Sequence, residues 1–158
     1  MSRKSYFKLG VSILLPLLAG AVGSIFTSAS ISTWYNYLNK PVWNPPSWVF
    51  APVWTILYIM MGISLFIIWN KGLSIKGTKK ALVFFGVQLI LNIAWSLIFF
   101  GAMNPFWALI EILALGLFII LTILKFYKIS QPAALLLLPY LVWVTFAAYL
   151  NYTIWSLN

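Results

Sequence analysis

The sequence predicts an all-α integral membrane protein, a bundle of five transmembrane helices with a cytoplasmic N-terminus and an external C-terminus. Three observations predict it. Hydrophobic residues make up 63% of the chain and charged residues 7%, whereas a soluble domain keeps about a quarter of its residues charged. Five apolar runs, at about 6–27, 47–69, 80–101, 105–126 and 132–155, each approach the roughly 20 residues that a spanning helix needs. Nine of the ten basic residues fall before span 1, between spans 2 and 3, or between spans 4 and 5. That bias marks the cytoplasmic side. A membrane barrel would need shorter strands that alternate towards a polar lumen, and a run such as "ILALGLFIILTIL" does not alternate. The length of 158 residues allows one such bundle, covering residues 1–158.

Span 1 follows Arg3, Lys4 and Lys8. A basic start, an apolar run and the small residues Ser28 to Ser30 also describe a cleavable signal peptide. The run of about 18 residues or more exceeds the 7–15 of a signal core, so we read it as a span. Within it Ala19 with Gly23, and Gly20 with Ser24, form the small-xxx-small pairs that allow close helix contact, within a chain or between chains.

The connection at 28–46 is unusual for a membrane linker. "LNKPVWNPPSWVFAPVW" (38–54) holds four prolines and three tryptophans. Pro41, Pro45 and Pro46 block helix and stiffen an extended path. Ser47 is placed to cap span 2, and Pro52 to bend that helix one turn in. Trp34, Tyr35, Tyr37, Trp43 and Trp48 each bury 150–250 Å² when covered. An aromatic belt at the headgroups explains Trp43 alone. The segment as a whole is read as a lid over the bundle's outer mouth, since long loops in compact domains are usually functional.

In hydrocarbon the spans must be helical, so positions three or four apart share a face. Span 2 then aligns Trp54, Tyr58, Met61 and Leu65, and span 3 aligns Gln88, Asn92, Trp95 and Phe99. Span 4 aligns Trp107, Glu111, Ala114 and Phe118, and span 5 aligns Tyr140, Trp143, Ala147 and Asn151. An amide buried without a partner costs several kcal/mol, so Gln88, Asn92 and Asn151 should point inward. Two readings of these faces stand side by side. Amides can tie helices together, or an aromatic cavity with a few polar groups can form a small-molecule site. Glu111 is an intramembrane carboxylate, a functional candidate by default, yet it lies only about a turn and a half from the Asn104–Pro105 turn, where headgroup water is near.

Absences exclude whole chemistries. The chain has no Cys, no His and one acidic residue, Glu111. Thiolate nucleophiles, zinc sites, histidine-ligated haem and Ser-His-Asp triads are therefore excluded within it, as is a carboxylate pair for acid–base work. No metal and no cofactor is called for. A net charge of +9 would suit nucleic acid, but these charges form no patch on a soluble face. They report topology and attraction to anionic headgroups.

"WYNYLNKPVWNPPSWVFAPVWTILYIMMG" (34–62), "QLILNIAWSLIFFG" (88–101) and "PYLVWVTFAAYLNY" (139–152) resemble the translocator protein family, also called TspO or peripheral benzodiazepine receptor. The resemblance runs through about residues 20–155. It implies five tilted helices around a pocket closed by the first loop, commonly in a homodimer. It implies binding of porphyrins such as protoporphyrin IX, of isoquinoline carboxamide and benzodiazepine-type drugs, and in some members of cholesterol. By the same resemblance the pocket is lined by Tyr35, Trp54, Tyr58, Asn92, Trp95, Trp107, Trp143, Ala147 and Leu150. Bacterial members are reported to degrade protoporphyrin IX under light, with the tryptophans matching Trp54 and Trp143 implicated. The cholesterol motif of vertebrate members needs a basic residue after Leu150 and Tyr152, and "TIWSLN" supplies none. A bacterial member in the cell membrane, handling porphyrin, is the reading that results.

Three functions follow as expectations. One is a binding protein that senses, sequesters or carries flat apolar molecules, with a porphyrin's propionates seeking Lys40, loop amides or water at the mouth. Another is a light-dependent oxidase that needs no acid–base pair, because excited porphyrin and oxygen supply the reactivity. The third is a scaffold whose aromatics only pack.

Overall fold

The computed structural model describes residues 3–158, and every regular element among them is helical. The order is α1 (Arg3–Ile31), α2 (Trp34–Tyr37), α3 (Ser47–Lys71), α4 (Thr78–Ser96), α5 (Pro105–Tyr127), α6 (Gln131–Leu135) and α7 (Leu138–Leu157). A π-helical turn, Leu97–Gly101, continues α4. Five segments are long and apolar enough to cross a membrane: α1, α3, α4 with its π turn, α5, and α6 with α7. The protein is a multi-pass membrane protein of five helical spans.

Boundaries follow local chemistry. Residues 28–31 belong to α1, so the connection begins later than the sequence suggested. Ser47 is the first residue of α3 rather than its cap: Pro46 takes the cap position and no side chain closes it. Pro52 lies inside α3, which runs through it. Asn104 does cap α5, its Oδ1 accepting from the Trp107 N–H at 3.1 Å, with Pro105 in the first turn. The last span is interrupted at Leu136 and Leu137, just before Pro139 in the first turn of α7.

Around the bundle, α3 packs on α1, α1 on α4, α4 on α5 and α5 on α7. The α1–α3 contact is set by glycine. A Cβ on Gly62 would meet Ile13 Cα at 2.6 Å and Ser12 O at 2.8 Å, both backbone. The small pairs of α1 are used inside this chain: Ala19 and Gly23 are buried, and a Cβ on Gly23 would lie 3.0 Å from Ser96 Oγ on α4. At the basic end Ser5 Oγ donates to Asn70 Oδ1 (3.2 Å) and Lys8 Nζ to the Trp69 carbonyl (3.2 Å). The main apolar core joins α3 to α7 around Met61, Ile68, Ile112, Ile119 and Val144. A second cluster surrounds Tyr35, Phe99, Phe100 and Leu150 at the other end.

The buried stripe of α5 is Ala108, Ile112, Leu115, Ile119, Thr122 and Phe126. The face expected there, Trp107, Glu111, Ala114 and Phe118, is one residue out of phase. The stripe that is buried instead holds no charged residue, whereas the expected face holds Glu111.

Candidate functional site

A cavity of about 490 Å³ occupies the half of the bundle beneath the connection. Its walls come from α1, α3, α4 and α7, with Tyr35 of α2 above; α5 contributes no lining residue. The cavity's floor is a chain of hydrogen bonds across three helices. The Tyr58 hydroxyl donates to Asn92 Oδ1 (2.7 Å), and Asn92 Nδ2 donates to the Tyr140 hydroxyl (3.1 Å). The Trp54 ring stacks on Tyr58 with centroids 5.4 Å apart and meets Tyr140 edge-on at 6.2 Å. On another wall Trp95 Nε1 donates to Asn151 Oδ1 (3.0 Å), while Asn151 Nδ2 donates to the Pro105 carbonyl (2.8 Å). Trp95 stacks on Phe99 at 5.1 Å, and Trp143 packs against Phe50 and Phe146. The two readings of the inward faces thus hold together at Asn92 and Asn151, which tie helices and hold the rings that shape the cavity. Gln88 is buried as expected, but its amide bonds to no other group among the described residues.

The connection covers this end through several bonds. The Tyr35 hydroxyl donates to Asn44 Oδ1 (3.1 Å). Burial raises this phenol above its ordinary range, against the opposing effect of that bond, so it remains a donor at neutral pH. Lys40 Nζ donates to the carbonyls of Tyr35 (2.7 Å), Leu38 (3.0 Å) and Asn36 (3.3 Å), and lies 4.8 Å from the Tyr35 ring centroid. Trp43 stacks on Tyr149 of α7 at 5.2 Å. Asn39 and Asn158 bond reciprocally: the Asn39 N–H donates to Asn158 Oδ1 (2.9 Å), and Asn158 Nδ2 donates to the Asn39 carbonyl (3.0 Å). Trp48 is 74% exposed, the position of a headgroup anchor. Sideways, the cavity opens between α1 and α3, where the lining residues Ala21, Ser24, Ser28, Ala51 and Thr55 are exposed.

Of the nine residues that the resemblance pointed to, eight line this cavity: Tyr35, Trp54, Tyr58, Asn92, Trp95, Trp143, Ala147 and Leu150. Trp107 does not. It is 58% exposed and borders a separate shallow groove with Glu111, Ile98 and Ala114. Both Glu111 carboxyl oxygens are buried without a hydrogen-bond partner, and the residue lies outside the cavity. The small residues of α1 that line the cavity, with Phe50, Ser96 and Phe100, were not singled out from the sequence for a site. Gly20, Gly23 and Ser24 carried one signal, their small-residue spacing, and of the two glycines Gly20 makes the tighter contact. It passes so close to the Tyr58 ring that a Cβ would collide with it.

A profile of the TspO/MBR family matches residues 12–156. The chain belongs to this family. Among related proteins, the "Tryptophan-rich protein TspO" of Chlorobaculum tepidum is 48% identical over 155 residues, covering 98% of each chain. The "Translocator protein" of Homo sapiens is 42% identical over 149 residues, 92% of this chain and 86% of its own. The "Tryptophan-rich sensory protein" of Cereibacter sphaeroides is 35% identical over 149 residues, 93% of this chain and 92% of its own. TspO/MBR membership agrees with the resemblance carried by the motifs of residues 34–62, 88–101 and 139–152.

Proposed function

We propose that the protein binds flat, largely apolar small molecules in this cavity, for sensing, sequestration or transport at the membrane. Protoporphyrin IX, isoquinoline carboxamides and benzodiazepines are the ligand types in view. One observation carries the reading: a cavity of about 490 Å³ lined by Trp54, Tyr58, Trp95 and Trp143. Small-molecule sites are typically apolar, aromatic and about 300–1,000 Å³ in volume. Relatives named as translocator and sensory proteins support a role in moving or reporting a ligand. The same reading has a homodimer in a bacterial cell membrane, with the basic helix ends in the cytoplasm.

A dark titration with protoporphyrin IX, followed by quenching of tryptophan fluorescence and then by illumination, tests it. Saturable quenching without accelerated bleaching is expected of a binder or carrier. Saturation followed by rapid protein-dependent loss of porphyrin would assign the oxidase instead, and that loss should then disappear in Trp143→Phe while dark affinity persists. Quenching that never saturates above an empty-detergent control would remove the cavity as a porphyrin site.

Two variants separate this cavity from the groove at Trp107. Ala147→Trp places a large ring among the lining residues and should weaken binding at least about tenfold, or roughly 1.4 kcal/mol. Trp107→Ala should leave the affinity within about twofold, because that ring is outside the cavity. The reverse pattern in the same titration would move the site to α5.

A further inference from the structure

On the reading that the cavity is the ligand site, we infer that it takes uncharged ligands, and that Lys40 clamps the lid instead of pairing with a ligand carboxylate. Lys40 is the one basic residue at this end of the bundle. The other nine lie at the opposite helix ends or in the connections there, at positions 3, 4, 8, 71, 76, 79, 80, 125 and 128. Its ammonium has three N–H donors, and three carbonyls receive them, those of Tyr35, Leu38 and Asn36. Two of these, Tyr35 and Asn36, lie in α2, and the contact with the Tyr35 ring adds a cation–π interaction. Turning Lys40 towards a carboxylate would release the carbonyls that hold the connection in shape. The expectation that propionates would find Lys40 therefore does not match its bonding.

The cavity wall supplies no substitute. No residue lining it carries a charge. Most of its polar groups already serve the protein: Tyr58 donates to Asn92, Trp95 to Asn151, and Asn151 to the Pro105 carbonyl. The Trp143 indole N–H is buried without a partner among the described residues, but it is a neutral donor and supplies no counter-charge. The hydroxyls of Ser24, Ser28 and Thr55, at the lateral opening, donate to carbonyls of their own helices. A carboxylate drawn into such surroundings loses its hydration without gaining a counter-ion, which is strongly unfavourable. A neutral flat molecule meets apolar rings and needs no counter-ion, so it gives up little on entering. The ligand class is thus a flat apolar molecule whose acidic groups are absent, esterified or left outside in the headgroup layer.

The test compares protoporphyrin IX with its dimethyl ester on the protein in lipid nanodiscs. Each affinity is corrected for partition into empty nanodiscs and measured in the wild type and in Lys40→Met. The ester should bind at least tenfold tighter than the acid. Lys40→Met should change both affinities by the same factor, since a loosened lid affects both ligands alike. An acid that binds as tightly as the ester, or tighter, overturns the inference while leaving the cavity reading intact. A Lys40→Met effect confined to the acid overturns it as well. If neither ligand saturates, the cavity reading falls and this inference falls with it.

Discussion

Gly62→Leu should unfold the bundle at the α1–α3 seam. The added Cβ alone would lie 2.6 Å from Ile13 Cα and 2.8 Å from Ser12 O. Neither is a side chain that can rotate away, so the two helices must separate. Overpacking a core ordinarily costs about 1–3 kcal/mol, and a backbone collision belongs at or above the top of that range. Here the damage extends further, because Ser12 and Gly62 are both buried and the cavity's α1 wall begins only a few residues on, at Leu17. Gly86→Leu is the control. A Cβ there meets nothing within 4 Å, and leucine is the better helix former, so stability should hold or rise. Thermal unfolding of both variants in one detergent checks this. Equal losses would mean that glycine itself, not the α1–α3 contact, matters at position 62.

Asn92→Leu should cost about 1–3 kcal/mol and weaken ligand binding with it. Two estimates compete for the size of this effect. Interhelical hydrogen bonds in membranes average only about 0.6 kcal/mol, so losing two would be mild. A buried polar group left without a partner costs about 1–3 kcal/mol. The larger estimate applies here because Tyr140, the acceptor of the Asn92 amide, has no exposed surface and cannot reach water or headgroups. Tyr58 would lose its acceptor at the same time, and with it the constraint on the ring that stacks under Trp54. Adding Tyr140→Phe to Asn92→Leu should recover part of the loss, because the stranded hydroxyl is removed. A double variant no more stable than the single one would show that Asn92 acts by shape and not by hydrogen bonding.

Much of the site could be read along the chain, for reasons tied to particular residues. Asn92 and Asn151 are amides in apolar runs, so each had to face a partner, and their helical neighbours Trp95, Trp143 and Ala147 came inward with them. The motif of residues 34–62 brought Tyr35, Trp54 and Tyr58 to the same place. Trp107 misled because a tryptophan at the start of a span is equally at home facing lipid. The Leu97–Gly101 π turn was not legible at all. It turns both Phe99 and Phe100 into the interior and leaves the Phe100 carbonyl to accept from Ser30 Oγ at 2.7 Å, a pairing between residues 70 positions apart.

By itself the sequence determined the membrane class, the five spans and the inward direction of the amides in α4 and α7. Hydrocarbon penalises an unpaired amide or a charge wherever the neighbouring helices lie, so those properties need no knowledge of packing. The tertiary structure decided which helices enclose the cavity, that α5 stays out of it, and where the lysine of the lid places its three hydrogens. Those depend on how far each helix is rotated and how closely it approaches its neighbour. Contacts such as Gly62 on Ser12 and Gly20 beneath Tyr58 set that, and a uniformly apolar helix surface does not record it.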